Sequence, residues 1–169
     1  MAANGANRAD ARKALASLLA TALVGAGKPA QACYAYKPAD FDGQSPVILV
    51  TSDGTKRQKN ALSTLTRQVT FYLSVHVFVL FADSTATEAG DDGESVVSSW
   101  TESDAEDRID LLEKSIADVV ADNIKTADWD MLSLGPADGG ERSRIEPIIV
   151  GGKEYQHEVI PVEVLIIRG

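Results

Sequence analysis

Between residues 68 and 81, apolar side chains recur at every second position. The odd positions are Val69, Phe71, Leu73, Val75, Val77, Val79 and Phe81, and the even ones are Thr70, Tyr72, Ser74, His76, Phe78 and Leu80. Period-two alternation specifies a strand, because successive side chains in extended backbone point to opposite faces of a sheet. The odd set makes a core face. The even set carries Tyr72, Phe78 and Leu80 and is too apolar for an ordinary wetted face. Such a strand needs cover on its second face, from another element of the same fold or from another subunit.

A chain of 169 residues is long enough to bury a core, and residues 1–169 read as a single domain. The net charge of −9 makes it a poor candidate for gripping nucleic acid, where basic patches supply most of the affinity. Cys33 is the only cysteine, which excludes an intramolecular disulfide and a cysteine metal cluster. The apolar stretch at 14–24 is interrupted by small residues and has helical periodicity. It lacks the basic segment and continuous apolar block of a signal peptide. No run approaches the length of a membrane-spanning helix.

Ala11, Ala14, Leu15, Leu18, Leu19, Ala22 and Leu23 follow the i, i+3, i+4, i+7 rule and predict an amphipathic helix, with Arg8, Arg12 and Lys13 outside its stripe. Gly25, Gly27 and Pro29 stop it. A short strand over 31–37 and a buried one over 47–50 follow. Ser52-Asp53-Gly54 reads as a turn, and 55–65, with Lys56, Arg57 and Lys59, as a loop before the long strand. From 83 to 107 there are nine carboxylates and no lysine or arginine. The acidic loop 84–99 within it is expected to be mobile, since it has little apolar surface to bury. Ser103 and Glu106 have capping-box spacing and open a second helix with the stripe Ala105, Ile109, Leu112, Ile116, Val119, Asn123. Residues 126–142 read as an irregular segment around Trp129. Residues 144–150 and 153–167 form a hairpin about Gly151-Gly152, with Pro161 at an edge or bulge. The predicted class is α+β: a mainly antiparallel sheet with two helices packed on one face, in the order α-β-β-β-α-β-β.

Little catalytic chemistry stands out. His76 and His157 lack HxH or HExxH spacing, so ordinary structural roles are the expectation. Asp91-Asp92-Gly93-Glu94 has adjacent rather than alternating carboxylates and does not match a calcium loop. There is no GxSxG, GxGxxG or Walker loop. Cys33 reads as an inert, half-buried thiol. No catalytic residue, cofactor or metal is expected. Tyr72, His76, Phe78, Trp100 and Trp129 are the candidate interface residues, the first three from the two-faced strand and the tryptophans as possible contact anchors beside irregular segments.

The helix Arg12-Lys-Ala-Leu…Leu18-Leu19, Tyr34-Ala-Tyr36-Lys-Pro38, Ser45-Pro-Val-Ile-Leu-Val50-Thr-Ser-Asp-Gly54, the long strand into Trp100-Thr-Glu102, Asp104-Ala-Glu-Asp107-Arg-Ile-Asp-Leu-Leu-Glu113 and Gly152-Lys-Glu154-Tyr155-Gln-His157-Glu-Val-Ile-Pro161-Val follow one another in a pattern. In this order they resemble the tail terminator (tail completion) proteins of long-tailed bacteriophages, over most of the chain. The resemblance implies a small α+β subunit, without catalytic residues, that forms a homohexameric ring in the neck of the virion. The ring would cap the major tail tube protein, end its polymerisation and dock the head-completion or connector protein. Genome DNA would pass through the lumen without specific binding. No membrane partner is implied, and synthesis would be in the host cytoplasm. Another neck protein, a head-closure or adaptor subunit, and a non-viral small-ligand domain are the alternatives.

Overall fold

The central strand is 14 residues long and is paired along its whole length with the longest strand of the sheet. In a computed structural model of the protein, which describes residues 7–59, 67–81, 85–89, 95–99, 102–135 and 143–168, helix α1 (Arg8–Leu23) leads into strands β1 (Ala32–Tyr34), β2 (Val47–Lys59) and β3 (Arg67–Leu80). Strands β4 (Thr85–Ala89) and β5 (Ser95–Ser99) follow. Then come helix α2 (Glu102–Asp122) and strands β6 (Met131–Leu134), β7 (Arg144–Val150) and β8 (Lys153–Arg168). The six-stranded sheet has the order β1-β2-β3-β8-β6, and β7 pairs with β8 beside β6. Among the described strands, β1 and β2 pair in parallel and the other pairs are antiparallel. This is the expected α+β class.

Both helices cover the odd face of β3. Register puts Cys33 beside Ile48, Ile48 beside Val77, and Val77 beside Glu158, so all four share that face. The Cys33 thiol donates to the carbonyl of Ala16 in α1 at 3.4 Å. The carboxyl of Glu158 feels Asp110 and Glu113 of α2. Between helices and sheet lie Leu15, Leu19, Ile109, Leu112 and Ile116, all buried, against Phe71, Leu73, Val75 and Val77. Asn7 caps α1, its Oδ1 accepting the Ala9 amide at 2.9 Å.

The even face is covered at one end by the chain itself. The β1–β2 connection, 35–46, folds over it and buries Phe41 against Phe78 and Tyr155, with ring centroids 4.8 and 5.4 Å away. The Ser45 hydroxyl accepts the Leu80 amide at 2.9 Å, extending the β2–β3 ladder past Val47. Of the two ways to cover the second face, an element of the same subunit thus protects Phe78 and Leu80.

Pro161 sits where its missing N–H costs nothing. Its carbonyl accepts from Gly135 at 2.7 Å, so its backbone polar groups face the β6/β7 side. There β7 has ended at Val159 and β6 begins at Val162.

Several boundaries differ from the sequence expectation. Ser52-Asp53-Gly54 is a bulge within β2, where Asp53 is the extra residue. A bulge admits that residue without ending the ladder, so β2 runs to Lys59 where a loop was expected. Its far half is polar because it is wet: Lys56, Arg57 and Gln58 are exposed. Within 84–99, β4 and β5 pair from Thr85 with Ser99 to Ala89 with Ser95. Low hydropathy pointed to a loop, but a ladder pairs backbone groups whatever side chains the strands carry. Residues 84 and 90–94 lie outside the described residues. The segment 126–142 contains β6, with Leu132 buried, and 136–142 lie outside the described residues. Helix α2 begins at Glu102, which places Ser103 and Glu106 in its first turn rather than as its cap.

Candidate functional site: the histidine pair and the outer surfaces

Diagonal neighbours on β3 and β8 bring the two histidines together on the even face. His76 lies opposite Val159, and His157 opposite Phe78. Nδ1 of His76 is 2.9 Å from Nε2 of His157, with ring planes 6° apart. Nε2 of His76 is 2.8 Å from the Thr51 hydroxyl on β2. His157 stacks on Phe78 at 4.4 Å. On the same face, Ser74 donates to the carboxylate of Asp53, which the bulge releases from the ladder.

Burial pushes the His157 pKa down to about 4, helped by His76 and Lys37 and opposed by Glu146. His76 is lowered mainly by burial and also by Lys37, while Asp53 pulls it up. Both imidazoles are therefore neutral near neutral pH and share a hydrogen bond. Each uses a ring nitrogen on the other, and no group of three or more His, Cys, Asp or Glu suited to a metal occurs among the described residues. The arrangement clasps β2, β3 and β8 through side chains and couples that clasp to protons.

The structure separates the expected interface residues. Phe78 and Trp129 are 2% and 3% exposed, so neither presents surface to a neighbour. Phe78 is covered by Phe41, and the Trp129 indole donates to the carbonyl of Asn123 at 3.0 Å, tying the end of α2 to the approach to β6. Tyr72 and His76 are half-buried on the even face. Trp100 lies outside the described residues. Burial pushes the Cys33 thiol up to about 12, in keeping with an inert thiol.

Other features were not singled out from sequence. Glu158 is buried on the helix-covered face; its pKa is raised by burial first and by Glu113 and Asp110, against a hydrogen bond from Ser143. Alternation along β8 places it inward, but a single glutamate among valines gives no sign that helix acids lie above it. Ile145 and Ile149 on β7 are 50% and 72% exposed, and Pro147 between them is exposed too. At the opposite side of the sheet, Arg8, Arg12 and Arg57 line one cleft. None of these arginines was a candidate for acting with the others, because Arg57 is far from the helix in sequence.

No protein-family profile and no curated protein matches the chain. No helix among the described residues is long and apolar enough to cross a membrane.

Proposed function

We propose that this protein is a structural subunit of a bacteriophage neck. Copies of it form a ring, expected to be a hexamer, that caps the tail tube, ends its polymerisation and offers a docking surface to the head connector. DNA passes through the lumen without specific binding, and neither catalysis nor a cofactor is part of the role. The order of motifs along the chain supports this reading, as does an α+β subunit with both helices on one sheet face. The observation that carries the assembly premise is the outer strand β7. Its Ile145 and Ile149 stand exposed on one face, on a strand whose described pairing is to β8 alone. Exposed aliphatics on a strand at the sheet margin suit contact with another protein surface.

The test is removal and add-back. Phage lacking the protein should make tail tubes that overgrow or fail to join filled heads. Purified protein should restore joining without nucleotide or metal. Normal-length tails already joined to heads in its absence reject the proposal. Normal-length tails that stay apart from heads favour a head-closure or adaptor subunit instead. Electron microscopy of virions should show sixfold density for the protein at the neck.

A further inference from the structure

Three arginines converge in an acidic protein. Arg8 and Arg12, one helical turn apart on α1, reach β2, where their guanidinium groups donate to Thr55 at 3.2 Å and Ser52 at 3.3 Å. Arg57 joins them from the same strand face, in a cleft of about 610 Å³. Nε of Arg12 is buried and has no hydrogen-bond partner. The guanidinium groups and the partial positive charge of the first turn of α1, which also carries Asp10, make the cleft attractive to an anion. A carboxylate entering the cleft would accept charge-assisted hydrogen bonds from the guanidinium groups at its mouth.

The matching surface is on the same chain. The first turns of α2 expose Asp104, Glu106, Asp107 and Asp110. The two surfaces lie at opposite corners of the helical layer. Helix α1 starts at the Thr55 level of β2, which pairs with Phe71, and its middle reaches Cys33 beside Ile48, at the Val77 level. Helix α2 has Asp110 near Glu158, which pairs with Val77, and its far end leads through Trp129 to Asp130, whose amide bonds Leu165 opposite Thr70. The helices are therefore antiparallel, α1 over β2 and α2 over β8. This puts the arginine cleft and the acidic turns diagonally apart within one subunit.

We propose that the arginine cleft of one subunit binds the acidic first turns of α2 from a second copy of this chain. Different patches meet in this contact, so it is heterologous and propagates head to tail, as a ring requires. Protein carboxylates are favoured over nucleic-acid phosphates because the chain carries a net charge of −9 and three guanidinium groups neutralise few phosphates. The inference shares the assembly premise of the proposed function but not its count of six.

Sedimentation of the full chain, at low and at high salt, tests it. Two variants are needed: Arg8→Glu with Arg57→Glu, and Glu106→Lys with Asp107→Lys. Wild type should associate at low salt and dissociate as salt screens the contact. Each variant alone should associate at least roughly tenfold more weakly. An equimolar mixture should regain association, because each reversed patch then faces its complement. Arg8→Glu alone is the substitute if the double variant loses its fold by circular dichroism. Wild type that stays monomeric, variants that associate like wild type, or a mixture that does not recover would each overturn the inference. Binding of a single-stranded oligonucleotide that Arg8→Glu abolishes, without self-association, would assign the cleft to phosphate instead. Salt-sensitive association into an order other than six keeps this contact and rejects only the hexamer.

Discussion

The carboxylate of Asp40 occupies the space that a β-carbon on Gly151 would fill. One of its oxygens also accepts the amides of Phe41 at 2.6 Å and Asp42 at 3.2 Å. The loop that covers the even face is thereby seated against the β7–β8 turn. Gly151 and Gly152 both have positive φ, 56° and 77°, as two-residue hairpin turns require. Only at Gly151 does a neighbour crowd the missing side chain. Gly152→Ala should cost about 1–2 kcal/mol from backbone conformation alone. Gly151→Ala should cost more, because the Asp40 carboxylate must swing away and give up its bonds to the amides of Phe41 and Asp42. Urea midpoints of the two variants measure the difference, and Asp40→Ala in the Gly151→Ala background should recover part of it. Equal midpoints would contradict the contact.

Phe41 is the side chain that makes the second sheet face an interior. It is 1% exposed between Phe78 and Tyr155. Phe41→Ala should destabilise by about 3–5 kcal/mol. It should also open Phe78 to solvent, read as increased binding of a hydrophobic dye. A variant with wild-type stability would mean that the loop is not the cover.

The histidine clasp predicts a pH dependence with a definite sign. The His157 pKa falls from 6.5 in the unfolded chain to about 4 in the fold. Between those values the unfolded state binds more protons, so stability rises with pH across that window. The contribution is complete above the unfolded pKa and is lost as pH falls toward about 4. His76, also lowered, acts in the same direction. Glu158, whose pKa is raised from 4.5, has the opposite sign: its contribution is present at lower pH and is lost as pH rises through the folded value. Comparing the slope of stability against pH in wild type and His157→Gln isolates the histidine. The variant should show a shallower rise over the window; an unchanged slope would exclude His157 from the linkage.

Leu112 lies in the middle of the α2 stripe and is fully buried beneath the helix. Leu112→Ala should cost about 2–5 kcal/mol, depending on how far the site collapses. Leu111, the next residue, is 53% exposed, and Leu111→Ala should change stability by less than about 0.5 kcal/mol. Chemical denaturation of both variants checks the helix register, which would be wrong if the two costs were reversed.

Local period determined much of this fold directly from the chain. Alternation from Val69 to Leu80 assigned β3 and both its faces; in β8 the structure buries the alternating set Ile160, Val162, Val164 and Ile166. Helical spacing found Leu15 and Leu19 in α1 and Ile109, Leu112 and Ile116 in α2, all buried. These succeed because backbone geometry alone decides which side chains share a face. Hydropathy did less well for β4, β5 and the far half of β2, since backbone hydrogen bonds can hold a ladder whose side chains are polar. Long-range placement belonged to the tertiary structure. Phe41 reaches Phe78 only because the β1–β2 connection folds back across the sheet. His76 and His157 meet only because β8 inserts beside β3 in one register. Arg8, Arg12 and Arg57 share a cleft only because α1 lies over the bulged end of β2. No local pattern encodes such encounters. They depend on which faces the whole chain must bury together, and that choice is made by packing over the entire sheet.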